Sequence, residues 1–201
     1  MREKSRVDKF RLEKRYTDGE YLSNNPDWHH SDSEWKANIV HRLLIENNLK
    51  FKNIAEIGCG AGGVIQSLSS LDGYDDVFCY GFELSPIAYA LCKSKSTDRL
   101  TFSNDDFFSS ACVFDAVLCL DVLEHVEDYL GFANELRGKG IYKIFHIPLD
   151  LSVSSLIRNR LVEVRRSVGH LHYFTAETAL ATLRSAGYTI EAWQYTYAFE
   201  C

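Results

Sequence analysis

The sequence predicts an α/β protein: a mainly parallel sheet flanked by helices, with a helical leader ahead of it and a helical lid inserted near its end. Three observations carry the prediction. From residue 53 onward, short apolar runs alternate with amphipathic stretches, the pattern of parallel strands joined by helical crossovers. The first apolar run ends in a glycine cluster, Gly58, Gly60, Gly62 and Gly63, where a strand must turn sharply into a helix. Two pieces, residues 1–50 and 149–169, fall outside the alternation.

The elements follow in chain order. The leader, 1–50, has a charged and helical start, an aromatic loop with Tyr16, Tyr21 and Trp28, and then a helix. Ser31-Asp32-Ser33-Glu34 offers a capping box for that helix, and Trp35, Ile39, Leu43 and Leu44 are expected on its inner face. Asn53 to Ile57 is the first strand, followed by Val64, Ile65, Leu68 and Leu71 at helical spacing. Val77 to Phe82 is the second strand. Ser85-Pro86 then starts a helix, because serine caps and proline fits the first helical position. Leu100 to Phe102, Phe114 to Leu120 and Tyr142 to Ile147 are the third, fourth and fifth strands. Thr175 caps a last helix through Ala186, Gly187 stops it, and Tyr188 to Tyr197 is expected to form a sixth strand. The chain therefore reads as a single domain over 1–201: leader 1–50, cofactor-binding core 51–148, lid 149–169, and final helix and strand 170–201.

Composition bounds the function. With 201 residues, 46% hydrophobic and 25% charged, the chain can bury one sizeable core. A formal charge of -6 argues against a partner made of nucleic acid. No apolar run reaches the length of a membrane span, and the charged start lacks the apolar core of a signal peptide. The six cysteines show no zinc-like spacing and several sit in apolar runs, as reduced buried thiols do. A cytoplasmic protein without a membrane partner, monomeric or homodimeric, is expected.

The glycine turn lets backbone approach a ligand closely, and its spacing also satisfies Gly-x-Gly-x-x-Gly, so a dinucleotide site stays open on the glycines alone. Glu56, two positions earlier, separates the alternatives. A carboxylate there repels a pyrophosphate but suits the ammonium and sulfonium of S-adenosylmethionine (SAM). Glu83, at the end of the second strand, is placed to accept from both ribose hydroxyls, a role it could play for either cofactor. After the third strand, Asp105 is placed to accept from an adenine amino group, with Asp106 beside it; taken alone, this segment also reads as a polar turn.

Glu56-Ile57-Gly58-Cys59-Gly60-Ala61-Gly62, Glu83-Leu84-Ser85-Pro86, Asp105, and Leu120-Asp121-Val122-Leu123-Glu124-His125-Val126 resemble successive motifs of the class I SAM-dependent methyltransferases over residues 53 to 190. The small-molecule methyltransferases of ubiquinone biosynthesis are similar. The leader around Trp28 and Trp35, with His146-Ile147-Pro148-Leu149-Asp150 and Val168 to Phe174, also resembles a bacterial subgroup of such enzymes. The resemblance implies a Rossmann-like class I fold and SAM as methyl donor, with S-adenosylhomocysteine (SAH) as product. It places Glu56, Gly58, Cys59, Gly60, Gly62, Glu83, Leu84, Asp105, Asp106, Leu120, Asp121 and His125 around the cofactor. It also implies a small-molecule acceptor. A non-catalytic SAM-binding scaffold and a nicotinamide oxidoreductase are the competing readings.

A hydroxyl acceptor calls for a base, and histidine suits neutral pH. His170 is the first choice, because its segment returns to the cleft from the lid, followed by His172 and His29. His125 shapes the cofactor pocket or acts as base, and His146 reads as a core histidine. The spacing His170-x-His172 raises the question of a metal, but no matched Asp/Glu set accompanies it and no metal is expected. Arg158, Arg160, Arg165 and Arg166 on the lid read as a solvated helix face and leave open an acidic or sugar-derived acceptor.

Overall fold

The structure is a computed structural model and describes residues 32–196. Helix α1 (Ser33–Glu46) leads into β1 (Asn53–Ile57), then α2 (Gly63–Ser69), β2 (Phe78–Phe82), α3 (Pro86–Cys92), β3 (Leu100–Ser103) and β4 (Phe114–Leu120). Helix α4 (Tyr129–Leu136) and β5 (Gly140–His146) complete the sheet. Helices α5 (Val153–Ile157), α6 (Arg160–Ser167) and α7 (Ala176–Ser185) follow. The five strands form one all-parallel sheet in the order β3-β2-β1-β4-β5. The order reverses between β1 and β4, so a crevice opens at their carboxyl ends, where ligands bind in sheets of this kind.

Burial on both faces explains why β4 is apolar at every position but Asp115. Ala116, Leu118 and Leu120 face one layer with Val40, Leu44, Ile65 and Leu68 of α1 and α2. Phe114, Val117 and Cys119 face the other with Phe132, Leu136 and Ala179 of α4 and α7. An aromatic cluster closes the second layer: Phe82 meets Phe107 edge-on at 5.0 Å, and Phe107 stacks on Phe114 at 5.8 Å. Caps match the sequence where it is explicit. Ser85 Oγ accepts from the Ala88 N–H, Thr175 forms a capping box with Thr178, and Gly187 ends α7 at φ +84°.

Four expectations change. β5 begins at Gly140 and ends at His146. The buried face of α1 is Ser33, Ala37, Val40 and Leu44. Of the four residues expected there, only Leu44 belongs to it; Trp35, Ile39 and Leu43 instead line a cavity beside β5. The N-cap position of α1 is Asp32, without a side-chain cap bond, and Ser31 lies outside the described residues. The sixth strand is absent among the described residues: 188–196 make no ladder with β5. That stretch stands off from the β5 edge across a cavity of about 920 Å³ lined by Tyr142, Ile144, Leu183, Ile190 and Thr196. Trp193 and Tyr195 therefore remain exposed, and residue 197 lies outside the described residues.

The lid is a pair of short helices joined through Asn159 in the left-handed region, φ +59°. Its Val153, Leu156 and Ile157 are exposed. Among the described residues no helix is long and apolar enough to cross a membrane.

Leu118, fully buried at the centre of β4, fills the layer between sheet and α1/α2. Leu118→Ala should lower stability by about 3 kcal/mol, read as a shift of the urea midpoint at unchanged slope. A loss below about 1 kcal/mol would mean that this layer is not tightly packed.

Candidate active site

β1 delivers Glu56 and Ile57 to the crevice and the chain then turns through three left-handed glycines: Gly58 at φ +68°, Gly60 at +54° and Gly62 at +75°. Two of these positions also have no room for a side chain. A Cβ on Gly58 would lie 2.8 Å from Val122 Cγ2, and one on Gly62 would lie 2.5 Å from the Phe102 ring. The turn is stitched to β2, since the Gly58 and Cys59 N–H groups both donate to the Phe82 carbonyl, at 2.8 and 3.1 Å. Cys59 itself points into the core, where its thiol hydrogen-bonds with Cys92, so only its backbone belongs to the turn.

Glu83 is buried at the end of β2 and braces this turn. Its Oε2 accepts from the Gly60 N–H at 2.8 Å and its Oε1 from the Ser85 N–H at 2.7 Å. Burial raises its pKa, and these two N–H donors oppose the rise. Leu84, next in the chain, is exposed. Asn104 ties the adjoining loop to this corner by donating to the Glu83 and Leu84 carbonyls at 2.6 and 3.2 Å. Asp105 is exposed and accepts from Ser103 Oγ at 2.7 Å. Asp106 is a cap, its Oδ1 accepting from the Phe108 N–H at 3.0 Å.

Glu56 lies beneath the turn, its Oε2 accepting from the Ile65 N–H at 3.1 Å. Burial pushes its carboxyl up to about 8 against the pull of Ile65 and Lys36.

Leu120, buried at the end of β4, leads into Asp121, which takes φ +53°, a left-handed conformation rare for a non-glycine residue. Its Oδ1 lies 2.6 Å from His146 Nδ1 and its Oδ2 accepts from Lys36 Nζ at 2.7 Å. Burial opposes ionisation there, but the His146 hydrogen bond and charge, together with the Lys36 ammonium, hold Asp121 well below the usual carboxylate range. His146 is thus part of a polar bridge, with Nε2 3.1 Å from Thr196 Oγ1, rather than the core histidine the sequence suggests. Nothing in its sequence position marks Lys36 as a site residue.

Three residues further on, the 3-10 turn Leu123–His125 presents Glu124 and His125. The Glu124 carbonyl accepts from the Leu171 and His172 N–H groups at 2.8 and 3.1 Å, which brings the chain after the lid against this turn. His170 arrives beside His125, ring centroids 4.9 Å apart. His170 Nδ1 lies 2.6 Å from Asp150 Oδ2, and His125 Nδ1 lies 3.2 Å from the Gly169 carbonyl. Glu124 is completely buried, and neither of its carboxylate oxygens has a hydrogen-bond partner among the described residues. Burial, and next the charge of Asp121, push its carboxyl well above the ordinary range. His172 is turned elsewhere, with Nε2 2.9 Å from the Val126 carbonyl and its ring against Tyr129. His29 lies outside the described residues. Glu124 is missing from the sequence list of site residues; its place inside an otherwise apolar turn was the available signal.

A family profile described as a methyltransferase domain matches residues 28–192. The chain belongs to that family and has the class I SAM-dependent methyltransferase fold. No curated protein matches its sequence significantly. Magnesium protoporphyrin IX methyltransferase from Synechocystis PCC 6803, solved with bound SAH, superposes with a TM-score of 0.62 at 18% identity, covering 79% of this chain and 74% of that one. A methyltransferase from Haloferax volcanii, solved with the Trm112 activator, gives 0.59 at 17% identity over 85% and 73%. The plantazolicin methyltransferase BpumL, solved with SAH, gives 0.56 at 16% identity over 84% and 67%. At these identities the likeness is one of fold.

The residues present fit the donor that serves this family. The left-handed turn leaves no Cβ between backbone and ligand, and an exposed Asp105 flanks the Glu83 corner. Asp121, held ionised on the β4 side of the turn, supplies the charge that a cationic ligand requires, while Glu56 keeps its proton up to about 8.

The buried Glu56 makes stability depend on pH. The folded chain holds a proton up to about 8 that the unfolded chain releases near 4.5. Between these values the folded state binds more protons, so stability falls as pH rises, by at most about 1.4 kcal/mol per pH unit from this group. Urea midpoints from pH 5.5 to 8 should fall less steeply in Glu56→Gln than in the native chain. Parallel curves would refute the assignment.

Proposed function

We propose that this protein transfers the methyl group of SAM to a hydroxyl oxygen of a small molecule. The observation that carries the reading is the run of three left-handed glycines braced by the buried carboxylate of Glu83 at the crevice of a parallel sheet. SAM supplies a methyl group already activated by its sulfonium. The chain's task is therefore to bind the donor, align the acceptor, exclude water and remove a proton. Glu83 retains lone pairs for ribose hydroxyls beyond the two N–H groups it accepts from. Exposed Leu84 and Asp105 suit the adenine, as an apolar flank and an acceptor. Asp121, kept ionised by Lys36 and His146, favours the cationic end of the donor.

Acceptor activation falls to the neighbourhood of Glu124, His125 and His170, which gathers proton-accepting groups at the carboxyl end of β4. His172 has a supporting role, set by the Val126 carbonyl and the Tyr129 ring. Arg158, Arg160, Arg165 and Arg166 give the lid a basic surface, which favours an acidic or sugar-derived acceptor. An acidic chain whose described cysteines form no disulfide suits a cytoplasmic enzyme, monomeric or homodimeric, without nucleic-acid or membrane partners.

Calorimetry tests the reading. The chain should bind SAM and SAH in the micromolar range, and Glu83→Ala should weaken SAH at least tenfold, about 1.4 kcal/mol or more. Folded protein that binds neither ligand, or a thermal shift given by NADH and not by SAM, would overturn it.

A further inference from the structure

We infer that this chain forms a homodimer by exchanging the segment after Thr196, which enters the cavity beside β5 of a second copy as an added strand. β5 pairs with β4 on one side, and among the described residues no strand pairs with its other edge. A strand edge left open in this way is a template for another extended segment. The inference goes beyond the methyl-transfer reading and does not rest on it.

The cavity has the walls of a slot for one strand. Residues 188–196 run past β5 in the same direction as the strand. Gly187, just before them, sits against Arg137 ahead of β5, and Thr196 Oγ1 lies 3.1 Å from His146 Nε2 at its end. Both segments line the cavity of about 920 Å³, and its apolar walls are Trp35, Ile39 and Leu43 from α1 with Leu180 and Leu183 from α7. The contact of His146 with Thr196 stands at the carboxyl end of the slot and opens as a strand enters.

The sequence points to the occupant. Residues 197–201 lie outside the described residues and read Tyr197-Ala198-Phe199-Glu200-Cys201. In an extended segment Tyr197, Phe199 and Cys201 share one face, which suits a slot with apolar walls. Folding back into the slot of the same chain needs a tight reversal after Thr196. The stretch 188–201 holds no Gly, Pro, Asn or Asp, the residues that tight hairpin turns use. Entry into a second copy needs no turn.

Direction and symmetry agree with exchange. The segment continues from Thr196 at the carboxyl end of β5, and the cavity reaches that same end at Lys36, His146 and Pro148. Two copies related by a two-fold axis, with these ends facing, each send the segment into the slot of the other, antiparallel to the β5 it meets. The contact is isologous: each copy gives one strand and accepts one, so the pair closes without further growth. It also meets apolar side chains that a single copy leaves in water, since Ile141, Trp193 and Tyr195 are exposed along this edge. With Tyr197 opposite His146, Cys201 falls opposite Tyr142, next to Ile141.

The whole chain is sized by light scattering and then cross-linked through thiols. The expected mass is about twice the 23.0 kDa of one chain. Phe199→Glu, which carries a charge into the slot, should raise the dimer dissociation constant at least about tenfold. Cys112 is exposed, so Cys112→Ser serves as the background for Ile141→Cys. A short bis-maleimide should then join residue 141 of one copy to Cys201 of the other, giving a dimer on a denaturing gel that Cys201→Ser abolishes. If Phe199→Glu fails to fold, the cross-link decides alone. A monomer at every concentration tested overturns the inference. A cross-link formed within one chain overturns it too, because the segment has then folded back. A dimer that is not joined through Cys201 also overturns it, because the copies then meet elsewhere.

Discussion

The carboxylate of Asp121 joins three separate parts of the molecule. One oxygen receives the Lys36 ammonium from α1, the other faces His146 at the end of β5, and the residue itself ends β4. Its own backbone is strained to make this possible. At φ +53° the left-handed conformation costs about 1–2 kcal/mol for a residue with a Cβ, and it persists only where its surroundings over-determine it. The surroundings do so: the Asp121 N–H donates to the His146 carbonyl at 3.0 Å while the side chain is held from both sides. The leader helix is therefore not merely packed on the sheet. It contributes a charge to the mouth of the crevice, and the next residues in the chain can turn inward as the 3-10 segment that carries Glu124 and His125.

That turn is in its own way the anchor of the lid. Asp150 stands at the start of the insertion and Gly169 at its end, and both make hydrogen bonds to the histidines of the cluster. The Glu124 carbonyl meanwhile holds Leu171 and His172. The end of the α5–α6 arch is thus fastened to the turn after β4 through His125, and its start to the neighbouring His170, while the arch itself carries exposed Val153, Leu156 and Ile157.

The sheet is legible in the sequence because its signals are local. β1 and β4 keep their expected bounds, since a mostly apolar run ending in glycines or in a polar residue has few other solutions. The sixth strand fails for a non-local reason. Tyr188 to Thr196 have strand-forming residues, but a cavity lined by both segments lies beside β5, and they meet through side chains, as at His146 and Thr196, without a backbone ladder. The buried face of α1 is misread for a related cause: Trp35, Ile39 and Leu43 are apolar yet face that cavity, and small Ser33 and Ala37 occupy the close contact with the core.

The same division runs through the site. Glycines with positive φ and acids at strand ends announce themselves by position, although their spacing alone leaves a dinucleotide open. The other side depends on residues brought together from 121–125, 146–150 and 169–172, whose distances no periodicity encodes. Lys36 shows the limit most clearly: in the sequence it is one more charge on an amphipathic helix, and only the fold sets it 2.7 Å from Asp121. Glu124 shows the converse. Its sequence neighbours Leu123 and Val126 belong to a packed layer, so a carboxyl between them was destined for burial and for a raised pKa. His125 is its neighbour in the sequence, but His170 comes from the segment after the insertion, and its arrival belongs to the fold.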